Sequence, residues 1–69
     1  MKISGRNKFK GKVTKILPGI VTAEVDVDIG NGNSIAGVIT KASVDEMGIK
    51  VGDEVIALIK ATSVMFIKE

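Results

Sequence analysis

Sixty-nine residues, 45% of them apolar, make one small domain with a thin core, since a chain of this length leaves about 40% of its unfolded surface exposed after folding. The absence of Cys and His excludes disulfides and removes the usual ligands of a structural zinc, and with Tyr and Trp also missing most general acids and bases are gone. A formal net charge of +2, from nine Lys and one Arg interleaved with eight acids, gives no strongly basic face.

So apolar a composition in so short a chain predicts burial against further copies, a homo-oligomer. No apolar stretch in these residues is long enough for a signal peptide or a membrane span, the longest apolar run being Val55 to Ile59, so neither is expected. A soluble, cytoplasmic protein without a membrane partner is expected.

In chain order, a first strand is predicted from Phe9 to Ile16, with Phe9, Gly11 and Val13 inward and Lys10 and Lys12 outward. Pro18-Gly19 fits the central positions of a type II turn that pairs Leu17 with Ile20. That register sets Val13 opposite Glu24, a conflict that a bulge, or a bend at Gly11, would relieve. Val21, Ala23, Val25, Val27 and Ile29 alternate with Thr22, Glu24, Asp26 and Asp28, giving a second strand with one core face and one wet face. Asn31-Gly32 is the dipeptide of a tight hairpin into a third strand, Ile35 to Ile39.

Thr40 is an N-cap for a short helix from Lys41 to Met47, stopped by Gly48, with Val44 and Met47 facing the core. Val51-Gly52-Asp53 turns the chain into a fourth strand, Glu54 to Lys60, and Ser63 to Lys68 reads as a fifth. The order β-β-β-α-β-β across residues 1–69 predicts a single domain, all-β with one short helix: a five-stranded Greek-key barrel of the OB type. A half-open sandwich and an SH3-like barrel are the alternatives.

Binding chemistry stands out over catalysis. Glu24, Asp26 and Asp28 line one strand face, a stripe that reads as a solvated surface balanced by cross-strand Lys more readily than as a cation site. Phe9 and Phe66 are the only aromatic residues and read as core, so the stacking platform of a single-strand nucleic-acid binder is missing. Three donor clusters remain. Ser4 and Arg6 share parity in an extended segment, Thr40 and Ser43 open the helix where backbone N–H groups favour an anion, and Lys60 with Thr62 and Ser63 ends the fourth strand. Each has a plain structural explanation alone, as frayed terminus, helix cap or solvated strand end. A unit charge pair at a protein surface is worth about 4 kcal/mol, whereas micromolar binding needs about 8 kcal/mol net. One lysine is not enough, and a dianion needs the clusters pooled.

The stretches Ser4-Gly5-Arg6-Asn7, Ile39-Thr40-Lys41-Ala42-Ser43 and Lys60-Ala61-Thr62-Ser63-Val64, in this order and spacing, resemble the Mop (molybdenum-pterin-binding) domain. The whole chain is similar to a free-standing molbindin, with Gly5 where the family usually has Ala. The resemblance implies an OB-like fold assembled as a hexamer, a trimer of dimers, that binds molybdate and often tungstate between subunits. By motif match it implies that Ser4 and Arg6 of one subunit meet Thr40, Ser43, Lys60 and the Ala61 backbone of a partner, with further sites on a three-fold axis. No aromatic slot offers itself to a pterin ring, so the bare oxyanion is the expected ligand. With no DNA-binding or ATPase segment among these residues, storage or homeostasis is the expected role and no enzymatic activity is expected. A nucleic-acid-binding OB module is the rival reading.

Overall fold

The computed structural model describes residues 2–69. Its elements are β1 (Asn7–Pro18), β2 (Thr22–Gly30), β3 (Asn33–Thr40), α1 (Lys41–Met47), β4 (Glu54–Ile59) and a single 3-10 turn, Ala61–Ser63. The strands form one antiparallel sheet in the order β3-β2-β1-β4. The class is the expected one, mostly β with one short helix. Its sheet curls because β1 pairs with β4 through its first half and with β2 through its second.

Two local features set that curl. Val13 and Ile16 are three residues apart and cannot both face inward from a regular strand. A register shift between Val13 and Lys15 solves this, setting Val13 opposite Val27 and Ile16 opposite Val25. At Gly11, where β1 passes from one partner to the other, a Cβ would stand 2.5 Å from the Asp28 carbonyl oxygen. Only glycine permits that approach.

The reversal after β1 departs from expectation. Pro18 is still paired, opposite Ala23, and the Gly19 N–H donates to the Thr22 carbonyl at 2.7 Å, so Ile20 and Val21 form the tip. Moving the turn by two residues, together with the bulge, removes the clash of Val13 with Glu24. Val21, expected in the core, sits on that tip and is exposed. The second hairpin is as expected, closed by Gly30 opposite Asn33, with Asn31 and Gly32 both at positive φ.

Val13, Ala23, Val25, Val27 and Val44 form the buried core, flanked by Ile16, Ile29, Ile39, Ile49 and Val55. The segment after α1 docks on the bulge: Val13 N–H donates to the Asp53 carbonyl at 2.9 Å and Gly52 N–H to the Val13 carbonyl at 2.8 Å. Val44 is the only buried residue of the helix, and Met47, expected beside it, is 67% exposed. On the outer face β2 carries its acids beside lysines of β1, Lys12 opposite Asp28 and Lys15 opposite Asp26.

The expected fifth strand is absent. After the 3-10 turn the chain has no regular structure, and Met65, Phe66 and Ile67 are each more than 90% exposed. β3 and β4 are therefore the two free edges of the sheet. Between them lies an apolar cleft of about 420 Å³, lined by Ile35, Ile39, Val55, Ala57 and Ile59 among others. The chain exposes 5873 Å², against about 4,100 Å² for a compact monomer of 7.2 kDa. No helix among the described residues is long and apolar enough to cross a membrane.

Candidate oxyanion site

The six candidate residues fall into two groups. Antiparallel pairing sets Asn7, the first residue of β1, opposite Ile59, the last of β4, so the backbones carrying Arg6 and Lys60 emerge side by side. The Asn7 side-chain amide donates to the Ile59 carbonyl at 3.2 Å and pins the two ends together. Gly5 lies against Leu58, whose side chain occupies the space a Cβ would take. The usual Ala at this position would require Leu58 to rotate.

Ser4, Arg6, Lys60 and Ala61 are exposed, and neither cation takes part in a hydrogen bond or ion pair among the described residues. The one ion pair there is Lys10 with Glu54 at 3.9 Å, a solvated pair worth little. In the 3-10 turn Ser63 N–H donates to the Lys60 carbonyl and Val64 N–H to that of Ala61, while the Ala61 and Thr62 N–H groups donate to no backbone acceptor among the described residues. That cluster therefore offers two charges and two free backbone donors.

The second group is the helix start. Thr40 Oγ1 accepts from the Ser43 N–H at 3.0 Å and donates to Ser43 Oγ at 2.7 Å. Lys41 N–H is taken by the Val21 carbonyl at 2.8 Å, whereas Ala42 N–H has no acceptor among the described residues. Because Thr40 satisfies Ser43 Oγ as an acceptor, the Ser43 hydroxyl proton is left to give. No acid lies in the first turn, so Asp45 and Glu46 do not oppose an anion from there.

These groups sit at opposite ends of β1. Arg6 and Lys60 adjoin its first residue, while Thr40 pairs with Thr22, beside the Pro18 end. Within one chain β1 stands between them. Within one chain, Thr40 and Ser43 thus form a helix group and Lys60 and Ala61 a strand-end group. Asn7 and Ala42 join the candidates, and Thr62, already in the strand-end cluster, adds its backbone N–H. Their contribution is backbone or positioning, and the motifs contained them without marking that role.

The acidic stripe does not form a cation cage: no group of three or more possible metal ligands converges among the described residues. The Asp26 carboxylate pushes Glu24 above the ordinary value, by hydrogen bonding to its protonated form and by like-charge repulsion, with desolvation adding and Lys15 opposing. Asp26 Oδ1 is buried without a hydrogen-bond partner. A proton shared with Glu24 would give it one. The two phenylalanines, expected in the core, are exposed, Phe9 at 39% and Phe66 at 95%, on separate elements.

Compared with known families, residues 3–66 match the TOBE domain. Molybdenum-pterin-binding protein 1 of Clostridium pasteurianum is 48% identical over 67 residues, 97% of this chain and 98% of that protein. The chain is a TOBE domain of the molybdenum-pterin-binding (Mop) family. Among solved structures, the Mop chain superposes on a molybdate-binding protein from Sporomusa ovata with a TM-score of 0.91 and 41% identity, covering 99% of this chain and all of the other. It also superposes on the cytoplasmic molybdate-binding protein ModG, in a form with molybdate bound, with a TM-score of 0.83 and 46% identity, over 88% of this chain and 43% of that one. These relatives are named as binding proteins, and no catalytic family is among them.

Proposed function

We propose that this Mop chain binds molybdate, or tungstate, as a bare tetrahedral oxyanion at sites between copies of itself, and that it serves cytoplasmic storage or homeostasis of that anion. The observation that carries this reading is the division of the donor set. Arg6 and Lys60, with the free Ala61 and Thr62 N–H groups, stand at one end of β1, and the Thr40–Ser43 pair stands at the other. A dianion needs both cations and a shell of neutral donors to be compensated on leaving water. Two copies placed end to end supply them, with Ser4, Arg6, Lys60 and Ala61 from one and Thr40 and Ser43 from another. The area exposed beyond that of a compact monomer, about 1,700 Å² by the mass scaling, supports assembly, and a hexamer is the form proposed. Similarity to molybdate-binding proteins along the whole chain supports the choice of anion.

Calorimetric titration of the purified protein with molybdate, tungstate and sulfate, alongside native mass spectrometry, tests the reading. Heat with molybdate or tungstate, weak or no heat with sulfate, and anion counts that follow the oligomer are expected. No heat with any of the three would remove it.

A further inference from the structure

We infer, on the reading that Arg6 and Lys60 hold a tetrahedral dianion, that Lys8 is the steering cation of that site: it draws the anion in from solution without touching it once bound.

Side-chain parity along β1 and β4 builds the outer face of this half of the sheet. Lys8, Lys10 and Lys12 project there from β1, beside Leu58, Ile56 and Glu54 of β4 in that order. The row is not uniform. Glu54 is the one acid on either strand, and it lies at the far end: Lys10 Nζ stands 3.9 Å from its carboxylate, and Lys12 is paired with Glu54 on one side and Asp28 on the other. Lys8 has neither acid. Its β4 neighbour is the half-exposed Leu58, and β2 does not pair with this part of β1, its register starting at Lys12. Arg6 precedes Asn7 and Lys60 follows Ile59 at the same end of the strand pair, so three cations surround the apolar Leu58 with no acid among them.

Distances along the strands decide which lysine matters. Successive outward residues stand about 7 Å apart, so Lys8 is one step from the end that carries Arg6 and Lys60 and two steps, about 14 Å, from Glu54. The Debye length at physiological ionic strength is about 8 Å. The field of Lys8 therefore reaches an anion arriving at Arg6 and Lys60, whereas the Glu54 charge is screened from it. Lys10 stands the other way round, two steps from the end and beside the acid. An apolar wall between like charges confines their field to the water above it, and Leu58 is that wall. A rim charge of this kind acts on encounter more than on retention, and it reads charge, not shape.

Full-length Lys8→Glu, Lys8→Gln and Lys10→Glu, compared with the wild type, test this. Calorimetry gives the Kd for molybdate and release of radiolabelled molybdate into unlabelled excess gives koff, so their ratio yields kon, over sodium chloride from about 10 mM to about 1 M. With the Lys8 charge about 10 Å from the incoming dianion, Lys8→Glu should slow kon by about sevenfold at the lowest salt and Lys8→Gln by about threefold, with koff unchanged and the difference gone at the highest. Lys10→Glu makes the same change in net charge one step further off and should slow kon by less than about threefold. Tungstate should show the same factors. Equal losses in Lys8→Glu and Lys10→Glu would mean that only net charge counts and would overturn the inference. So would a kon that Lys8→Glu leaves unchanged, or a loss carried by koff, which would make Lys8 a contact. Failure of the wild type itself to bind either anion would remove the underlying reading and this one with it, an outcome distinct from wild-type binding that Lys8→Glu does not slow.

Discussion

In Thr40→Asp the helix keeps its cap while the proposed anion site gains a negative charge, so the two jobs of this side chain come apart. Thr40 Oγ1 accepts the Ser43 N–H at 3.0 Å, a bond a carboxylate makes at least as well. Thr40→Ala loses it, at about 1 kcal/mol. Unfolding entropy of about 2.1 cal/mol/K per residue gives about 145 cal/mol/K for this chain, so that loss lowers Tm by about 7 °C. Binding responds differently. A like-charge pair at contact near a surface opposes by about 4 kcal/mol, and after rotation and salt relieve part of it the Kd for molybdate should still rise by about 100-fold or more. Thermal melts without anion, at one protein concentration because assembly makes Tm depend on it, and calorimetric titrations of both variants measure the two effects. Expected are a near-normal Tm with binding weakened about 100-fold or more for Thr40→Asp, and a lower Tm with binding weakened about tenfold for Thr40→Ala. Wild-type affinity in Thr40→Asp would place the anion elsewhere.

Three further outcomes follow from the same geometry. Arg6→Ala and Lys60→Ala should each weaken molybdate binding by about tenfold or more, since removing one cation leaves the dianion undercompensated; unchanged affinity in both would detach these residues from the site. Val13→Ala truncates the one side chain below 2% exposure among the described residues and should cost about 2–3 kcal/mol, seen as a fall in Tm of roughly 15–20 °C, whereas a fall of only a few degrees would mean that the site collapses around the smaller residue. Glu24 has a folded pKa raised above its ordinary value of 4.5. Between the two values the folded chain holds more protons at this group than the unfolded one, so the stability Glu24 contributes is fully present below 4.5 and is lost as pH rises through the folded pKa. Glu24→Gln, freed of repulsion from Asp26, should melt higher than the wild type at neutral pH, with the gap closing in acid; a gap independent of pH would refute the coupling.

Features fixed by neighbours in the chain were legible without coordinates. The alternation of β2, the Asn31-Gly32 reversal and the helix between Thr40 and Gly48 depend on period-two burial, positive φ and capping bonds that span three or four residues. The candidate site is proposed from donor types, because cations, hydroxyls and a helix start are written in residue identity. Its division was not written there. That Arg6 and Lys60 share one end of β1 while Thr40 and Ser43 hold the other follows from registers between strands far apart in sequence.

The amino-acid order by itself determined what each short stretch can become and which chemistry it can offer, because propensity, side-chain parity and charge are local properties. Only the tertiary structure decided which stretches find partners. Residues 63–68 have the composition of a strand, yet a strand exists only where an edge receives its hydrogen bonds, and in a single copy none does. Met47 likewise has the right helical spacing for the core but projects into water, since burial depends on what stands opposite.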